Sequence, residues 1–142
     1  MKYVVLVSHG TMAPGLHDAL KMLAGEERKD ILSTSLVNGM GAAEFAEHVR
    51  ACISGITKED EILLFADLIG GSPLTTAADV IAEQGLLEQT TMIGGMNMPL
   101  VLSAVLSKDD METEEMLEEL IPESREELKI FTITNEDDEE EI

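Results

Sequence analysis

The sequence predicts an α/β protein with a doubly wound, mainly parallel sheet, and three observations carry that prediction. Short runs rich in Val, Ile and Leu recur along the chain with longer helical patterns between them. Glycine, serine and proline fall at the starts and stops of those helical patterns. Apolar residues make up 44% of the chain, yet aromatic residues are only 3% and Trp is absent, so the core has to be assembled from aliphatic side chains and nine Met. That composition suits helices packed on a buried parallel sheet. At 142 residues the chain has room for one domain with a real core and not for two.

The elements follow in order. Tyr3-Val4-Val5-Leu6-Val7 reads as the first strand (3–7) and runs into Ser8, His9 and Gly10. Strands are expected again at 31–36, 61–66 and 90–93, with helices over 13–24, 42–54, 73–84 and 98–107. Gly25 and Gly55 stop the first two helices. Ser72 offers the third an N-cap hydroxyl, with Pro73 at the first helical position. This alternation implies a parallel sheet with helices on both faces, for which the order 2-1-3-4, with the switch point between strands one and three, is the expected arrangement. The carboxy-terminal part breaks the pattern: Glu112 to Leu128 reads as an acidic helix interrupted by Pro122, and Lys129-Ile130-Phe131-Thr132-Ile133-Thr134 reads as a late edge strand suited to antiparallel pairing. Residues 1–134 are expected to form the single domain, and 135–142 an acidic, solvated tail.

Charge narrows the function classes. Nine Lys and Arg against 29 Asp and Glu give a net charge of -20, which repels a phosphate backbone or an anionic membrane, so nucleic acid is not an expected partner. Cys52 is the one cysteine, which rules out an intramolecular disulfide and points to a reducing compartment. The amino-terminal apolar run is too short for a signal sequence or a membrane span, so a cytoplasmic protein is expected.

The chemistry is expected where strands one and three end. In a doubly wound sheet, ligands bind outside the carboxyl ends of the strands at the point where strand order reverses. His9 ends strand one and Asp67 ends strand three, so the order 2-1-3-4 makes them neighbours although they are distant in sequence. A carboxylate beside an imidazole fixes the tautomer and leaves the other ring nitrogen as an oriented nucleophile. Directly after Asp67, Gly70-Gly71-Ser72-Pro73 is a glycine turn that opens a helix, a cradle for an anion. Imidazole, with an ordinary pKa of about 6.5, is a neutral nucleophile at cell pH and a good leaving group. Nucleophile, orienting carboxylate and anion cradle at one sheet edge therefore point to reversible phosphoryl transfer through a phosphohistidine. The chain has no Walker P-loop, kinase signature or zinc HExxH, so neither a nucleotide cofactor nor a metal is expected.

Three motifs carry a resemblance. Val7-Ser8-His9-Gly10 after the first strand, Phe65-Ala66-Asp67-Leu68-Ile69-Gly70-Gly71-Ser72-Pro73 after the third, and Gly95-Met96-Asn97-Met98-Pro99-Leu100 after the fourth resemble, in that order and over nearly the whole chain, the IIA component of the mannose-family sugar phosphotransferase system. The resemblance implies that His9 accepts phosphate from phospho-HPr and passes it to a IIB protein, which phosphorylates sugar as the IIC/IID membrane complex imports it. It implies an orienting role for Asp67 and phosphoryl binding by Gly70, Gly71 and Ser72. It also implies a homodimer in which the carboxy-terminal strand adds antiparallel to the partner's sheet, covering an edge that otherwise stands open.

Other readings are weaker on the residues. A histidine phosphatase needs Arg just before the His, where this chain has Ser8. A small chelatase has no use for the Gly70-to-Pro73 turn and would want a second placed His. The phosphoryl carrier subunit of dihydroxyacetone kinase typically has Ser after the His, where this chain has Gly10. A non-enzymatic binding module leaves the pairing of His9 and Asp67 unexplained. His17 and His48 fall within helical patterns and read as surface or packing residues. Met92, Met96 and Met98 read as core and loop packing, while Asn97 either lines the crevice or shapes the turn before Pro99.

Overall fold

A computed structural model of the chain describes residues 1–134; the acidic tail 135–142 lies outside the described residues. The elements run β1 (Lys2–His9), α1 (Met12–Ala24), β2 (Ile31–Leu36), α2 (Ala42–Cys52), β3 (Glu61–Ala66), α3 (Ser72–Glu83), a single 3-10 turn (Leu87–Gln89), β4 (Thr90–Ile93), α4 (Met98–Ser107) and α5 (Thr113–Glu126). The four strands form one parallel sheet in the order β2-β1-β3-β4, the expected doubly wound arrangement. β1 is central and continues through His9, which pairs in register with Leu36 of β2, whereas the pairing of β1 with β3 stops at Val7 and Ala66.

The pleat of β1 decides which helix each residue faces, because successive side chains point to opposite sides of the sheet. Val4 and Leu6 join a core with Leu16 and Leu20 of α1, Val101 and Val105 of α4, and Met116 and Leu120 of α5. Val5 and Val7 join the other core with Phe45 and Val49 of α2 and Ala77, Val80 and Ile81 of α3. By the same alternation Ser8 is carried to the α1 side and His9 to the side of α3.

Several boundaries differ from the expectation, each for a local reason. α2 ends at Cys52 and not at residue 54: the buried Ile53 leaves helical geometry, and the Ser54 hydroxyl donates to the Ala51 carbonyl at 2.9 Å, turning the chain before Gly55. α5 runs unbroken through Pro122. The proline and Glu118, whose carbonyl loses its helical donor, are both exposed, while Met116, Leu117 and Leu120 anchor the helix from its buried stripe. The expected strand at 129–134 has no strand geometry in the described chain, and Ile130, Phe131 and Ile133 are 84–89% exposed.

The amino-terminal edge of the sheet is closed by ions. Lys108, only 1% exposed at the end of α4, reaches Asp30 at 2.7 Å and Asp109 at 3.1 Å, and Arg28 donates to both carboxylate oxygens of Asp30 at 2.9 and 3.0 Å. The Arg28 hydrogen bond, and after it that of Lys108, outweigh burial and hold the Asp30 carboxyl well below the usual carboxylate range. Among the described residues no helix is long and apolar enough to cross a membrane.

Candidate functional site

His9 and Asp67 meet at the carboxyl edge of the sheet. The Asp67 Oδ2 atom accepts the backbone N–H of His9 at 3.0 Å and lies 2.8 Å from Nδ1 of the same residue's ring. The other carboxylate oxygen accepts the Leu68 N–H at 2.9 Å. These bonds occupy the place where the β1–β3 ladder would otherwise continue: the carboxylate substitutes for a strand carbonyl. On the far side, Gly10 donates its N–H to Leu36 of β2 at 2.8 Å, so the end of β1 is held from both neighbours. Gly10 turns the chain there with φ +56, which a glycine adopts without steric cost.

The electrostatics fix the ring. Burial works to raise the Asp67 pKa, but the hydrogen bonds from the His9 backbone, the His9 ring and the Leu68 N–H together hold it below its ordinary value. Asp67 is therefore ionised at neutral pH, and an ionised carboxylate can only accept hydrogen bonds. In the neutral ring the proton must then sit on Nδ1, leaving the Nε2 lone pair bare. The His9 side chain is 44% exposed and that of Asp67 only 12%, so the imidazole faces solvent and the carboxylate that holds it does not.

Beside the ring stands the start of α3. The sequence assigns the cap to Ser72, but Gly71 is the N-cap and Ser72 the first helical residue, with Pro73 next; no side chain caps the helix. The misplacement is one residue, and it leaves the leading N–H groups of α3 aimed outward without a side-chain acceptor, the arrangement in which a helix start favours an anion. Gly70 takes φ +82 to make the turn. The loop 68–71 is braced from β4, since a Cβ on Gly94 would collide with the side chain of Ile69. The N–H of Met96 donates to the Ala66 carbonyl at 2.9 Å, tying the loop after β4 to the end of β3.

Ser8, next to His9 in β1, has a structural role that sequence reasoning missed. It is fully buried, and its Oγ accepts the Ala13 N–H at 2.7 Å, capping α1 from within the neighbouring strand. Thr11, the formal N-cap of α1, makes no such bond. Only the pleat of β1, which turns Ser8 toward α1, could have signalled this. Asn97 resolves as a helix cap: its Oδ1 accepts the Leu100 N–H at 2.9 Å. His17 bonds the Ser33 hydroxyl at 2.7 Å, and His48 sits 3.9 Å from Glu44 one helical turn away. Burial pushes the Cys52 thiol up to about 11, where it has little nucleophilic character. Among the described residues no cluster of ligand side chains could hold a metal ion.

A parallel α/β sheet with one oriented histidine at its switch point and an uncapped, glycine-opened helix beside it defines a narrow class of protein. The sequence profile of the EIIA-man family, the PTS system fructose IIA component, matches residues 3–121, and the chain belongs to that family: it is a IIA component of the mannose-family sugar phosphotransferase systems. It is 26% identical to the fructose-specific EIIA component of Bacillus subtilis (strain 168) over 117 residues, which cover 82% of this chain and 77% of that one. It is also 26% identical, over 107 residues and 75% of its length, to the mannose-specific EIIAB component of Escherichia coli (strain K12), of which it spans 32%. Its fold matches that of the mannose/sorbose-specific IIA subunit from Enterococcus faecalis, with a TM-score of 0.78 at 23% identity, covering 96% of this chain and 99% of that one.

Proposed function

We propose that this chain relays phosphoryl groups for sugar uptake, taking one from phospho-HPr onto Nε2 of His9 and passing it to a mannose-family IIB protein that serves a IIC/IID membrane complex. The observation that carries the reading is the double hold of Asp67 Oδ2 on His9, because it leaves Nε2 unprotonated and fixed in direction beside the start of α3. In the forward step the Nε2 lone pair attacks phosphorus, the P–N bond to the donor's histidine breaks, and its electron pair returns to the donor ring. No proton has to leave Nε2. The ring gains positive charge, which the ionised Asp67 stabilises through Nδ1, while the phosphoryl oxygens take N–H groups at the start of α3, with the backbone of Gly70 and Gly71 and Ser72 around them. Transfer to IIB reverses the same events.

The face around His9 suits a succession of partners. Apart from Asp67, the loops at the carboxyl edge, residues 10–12, 37–41, 67–73 and 94–99, contain no charged residue in a chain that is 27% charged. Met12, Val37, Leu68 and Ile69 are exposed there. An apolar rim docks without imposing the field of the acidic body on an incoming phosphoryl group. The EIIAB name of the Escherichia coli relative supports a IIB unit as the next acceptor. A cytoplasmic location follows from these partners.

The same reading includes a homodimer. β4 is an edge strand, and a groove of about 490 Å³ runs between it and α5, lined by Ile69, Met92, Ile93, Leu117 and Ile121. The exposed, strand-like segment Lys129 to Thr134 of a second copy has the apolar character to fill it by antiparallel addition, completing a domain that spans 1–134. The relay is tested by mixing the chain with enzyme I, HPr and labelled phosphoenolpyruvate, then adding IIB. A label that is acid-labile and alkali-stable and chases onto IIB is expected; a label that stops on HPr contradicts the proposal.

A further inference from the structure

Gly71 stands where the backbone does not call for glycine. Its φ of −89° and ψ of 161° are open to any residue, unlike the φ of +82° at Gly70. It is also the N-cap of α3, a position where Ser, Thr, Asn or Asp stabilises a helix by accepting an N–H, and α3 has no other side-chain cap. Neither backbone geometry nor helix stability explains the choice.

The ring of His9 does. A Cβ at residue 71 would stand 2.8 Å from Cε1 and 3.5 Å from Nε2 of His9, with the Leu68 Cβ at 3.7 Å. The first distance is shorter than carbon atoms accept, and the ring cannot swing away while Nδ1 stays 2.8 Å from Asp67 Oδ2. We infer that Gly71 is a positioning residue for the relay: its bare backbone is the surface against which the imidazole rests, so that Asp67 and Gly71 together set the direction of Nε2. A side chain here does harm twice. It pushes the ring off its bond to Asp67, and a polar one also caps the N–H groups that the phosphoryl oxygens need. The sequence thus leaves α3 uncapped so that the reacting atom and the anion can share its first turn. This inference rests on the phosphoryl-relay reading.

The test compares the wild-type chain with Gly71→Ala and Gly71→Ser by thermal unfolding, by the ¹⁵N spectrum of the His9 ring and by phosphoryl uptake from phospho-HPr. Gly71→Ser is expected to melt at or above the wild-type temperature, because serine is a better cap. Both variants are expected to lose the single Nδ1–H tautomer in the ring spectrum, and to lose rate on the order of 10²-fold with the apparent affinity for phospho-HPr unchanged. A wild-type ring spectrum in both variants, or a wild-type uptake rate, overturns the assignment. Failure of the wild-type chain itself to take up phosphate removes the relay reading, while the ring spectra still decide whether residue 71 sets the imidazole.

Discussion

A single oxygen, Oδ2 of Asp67, receives both the backbone N–H and the ring Nδ1 of His9, at 3.0 and 2.8 Å. The two bonds fix different things. The backbone bond sets where β1 ends relative to β3, and the ring bond sets the tautomer, so the position of the strand and the chemical state of the imidazole depend on one carboxylate. Asp67→Asn keeps the shape but removes the charge that excludes the wrong tautomer. Phosphoryl uptake is expected to fall on the order of 10²–10⁴-fold, with the melting temperature lowered by only a few degrees and a mixed ring tautomer in the ¹⁵N spectrum. Unchanged uptake kinetics remove Asp67 from the site.

Ser8→Ala separates stability from chemistry in the residue next to His9. The buried Ala13 N–H loses its acceptor, and the expected cost is about 1–2 kcal/mol in chemical denaturation. The ring spectrum of His9 should remain that of the wild type, since the Asp67 bonds do not pass through Ser8.

The ion cluster at the opposite edge gives a prediction about acid. The Asp30 carboxyl is held below its ordinary value of 3.8 by Arg28 and Lys108. Its contribution to stability is therefore present above that value and lost as pH falls below it toward the folded-state value. Asp30→Asn leaves the buried Lys108 facing only the exposed Asp109, with an expected loss of about 3 kcal/mol at pH 7. The denaturation midpoint of this variant should also depend less on pH below about 4 than that of the wild type.

His17 titrates in the same sense but in a higher pH range. Burial, then the charge of Lys21, lowers its pKa from 6.5, so the folded state binds fewer protons than the unfolded one. Stability is fully present above 6.5 and declines as pH falls below it. His17→Gln is expected to flatten the change in melting temperature just below that pH; an unchanged slope shows that other groups carry it.

A chain ending at Leu128 tests strand exchange. Light scattering is expected to show a dimer for the full chain and a monomer for the shortened one. A dimer that persists after the cut assigns the interface elsewhere.

The sheet order and the meeting of His9 with Asp67 were legible because residues ending neighbouring parallel strands must be neighbours whatever their separation in sequence. Ser8 was not, because its bond to Ala13 joins a strand to the next helix and depends on the phase of the pleat. The ring clearance at Gly71 joins residues far apart in sequence and leaves no local pattern, and a glycine after Gly70 reads as part of a turn and anion cradle, with no sign of the ring behind it. Pro122 read as a break because sequence alone does not show that the lost bond faces solvent while Met116, Leu117 and Leu120 hold the helix. The run at 129–134 is rich in β-branched and aromatic residues, but that composition does not by itself give strand geometry, and none is found there in the described chain.

The central claim, that Asp67 reserves Nδ1 and leaves Nε2 of His9 to carry phosphate, is tested most directly by ³¹P and ¹⁵N NMR of the chain after incubation with phosphoenolpyruvate, enzyme I and HPr. The expected result is one phosphoryl group, bonded to Nε2 of His9 and absent from His9→Ala. Phosphate on Nδ1, on another residue, or on none would contradict the account.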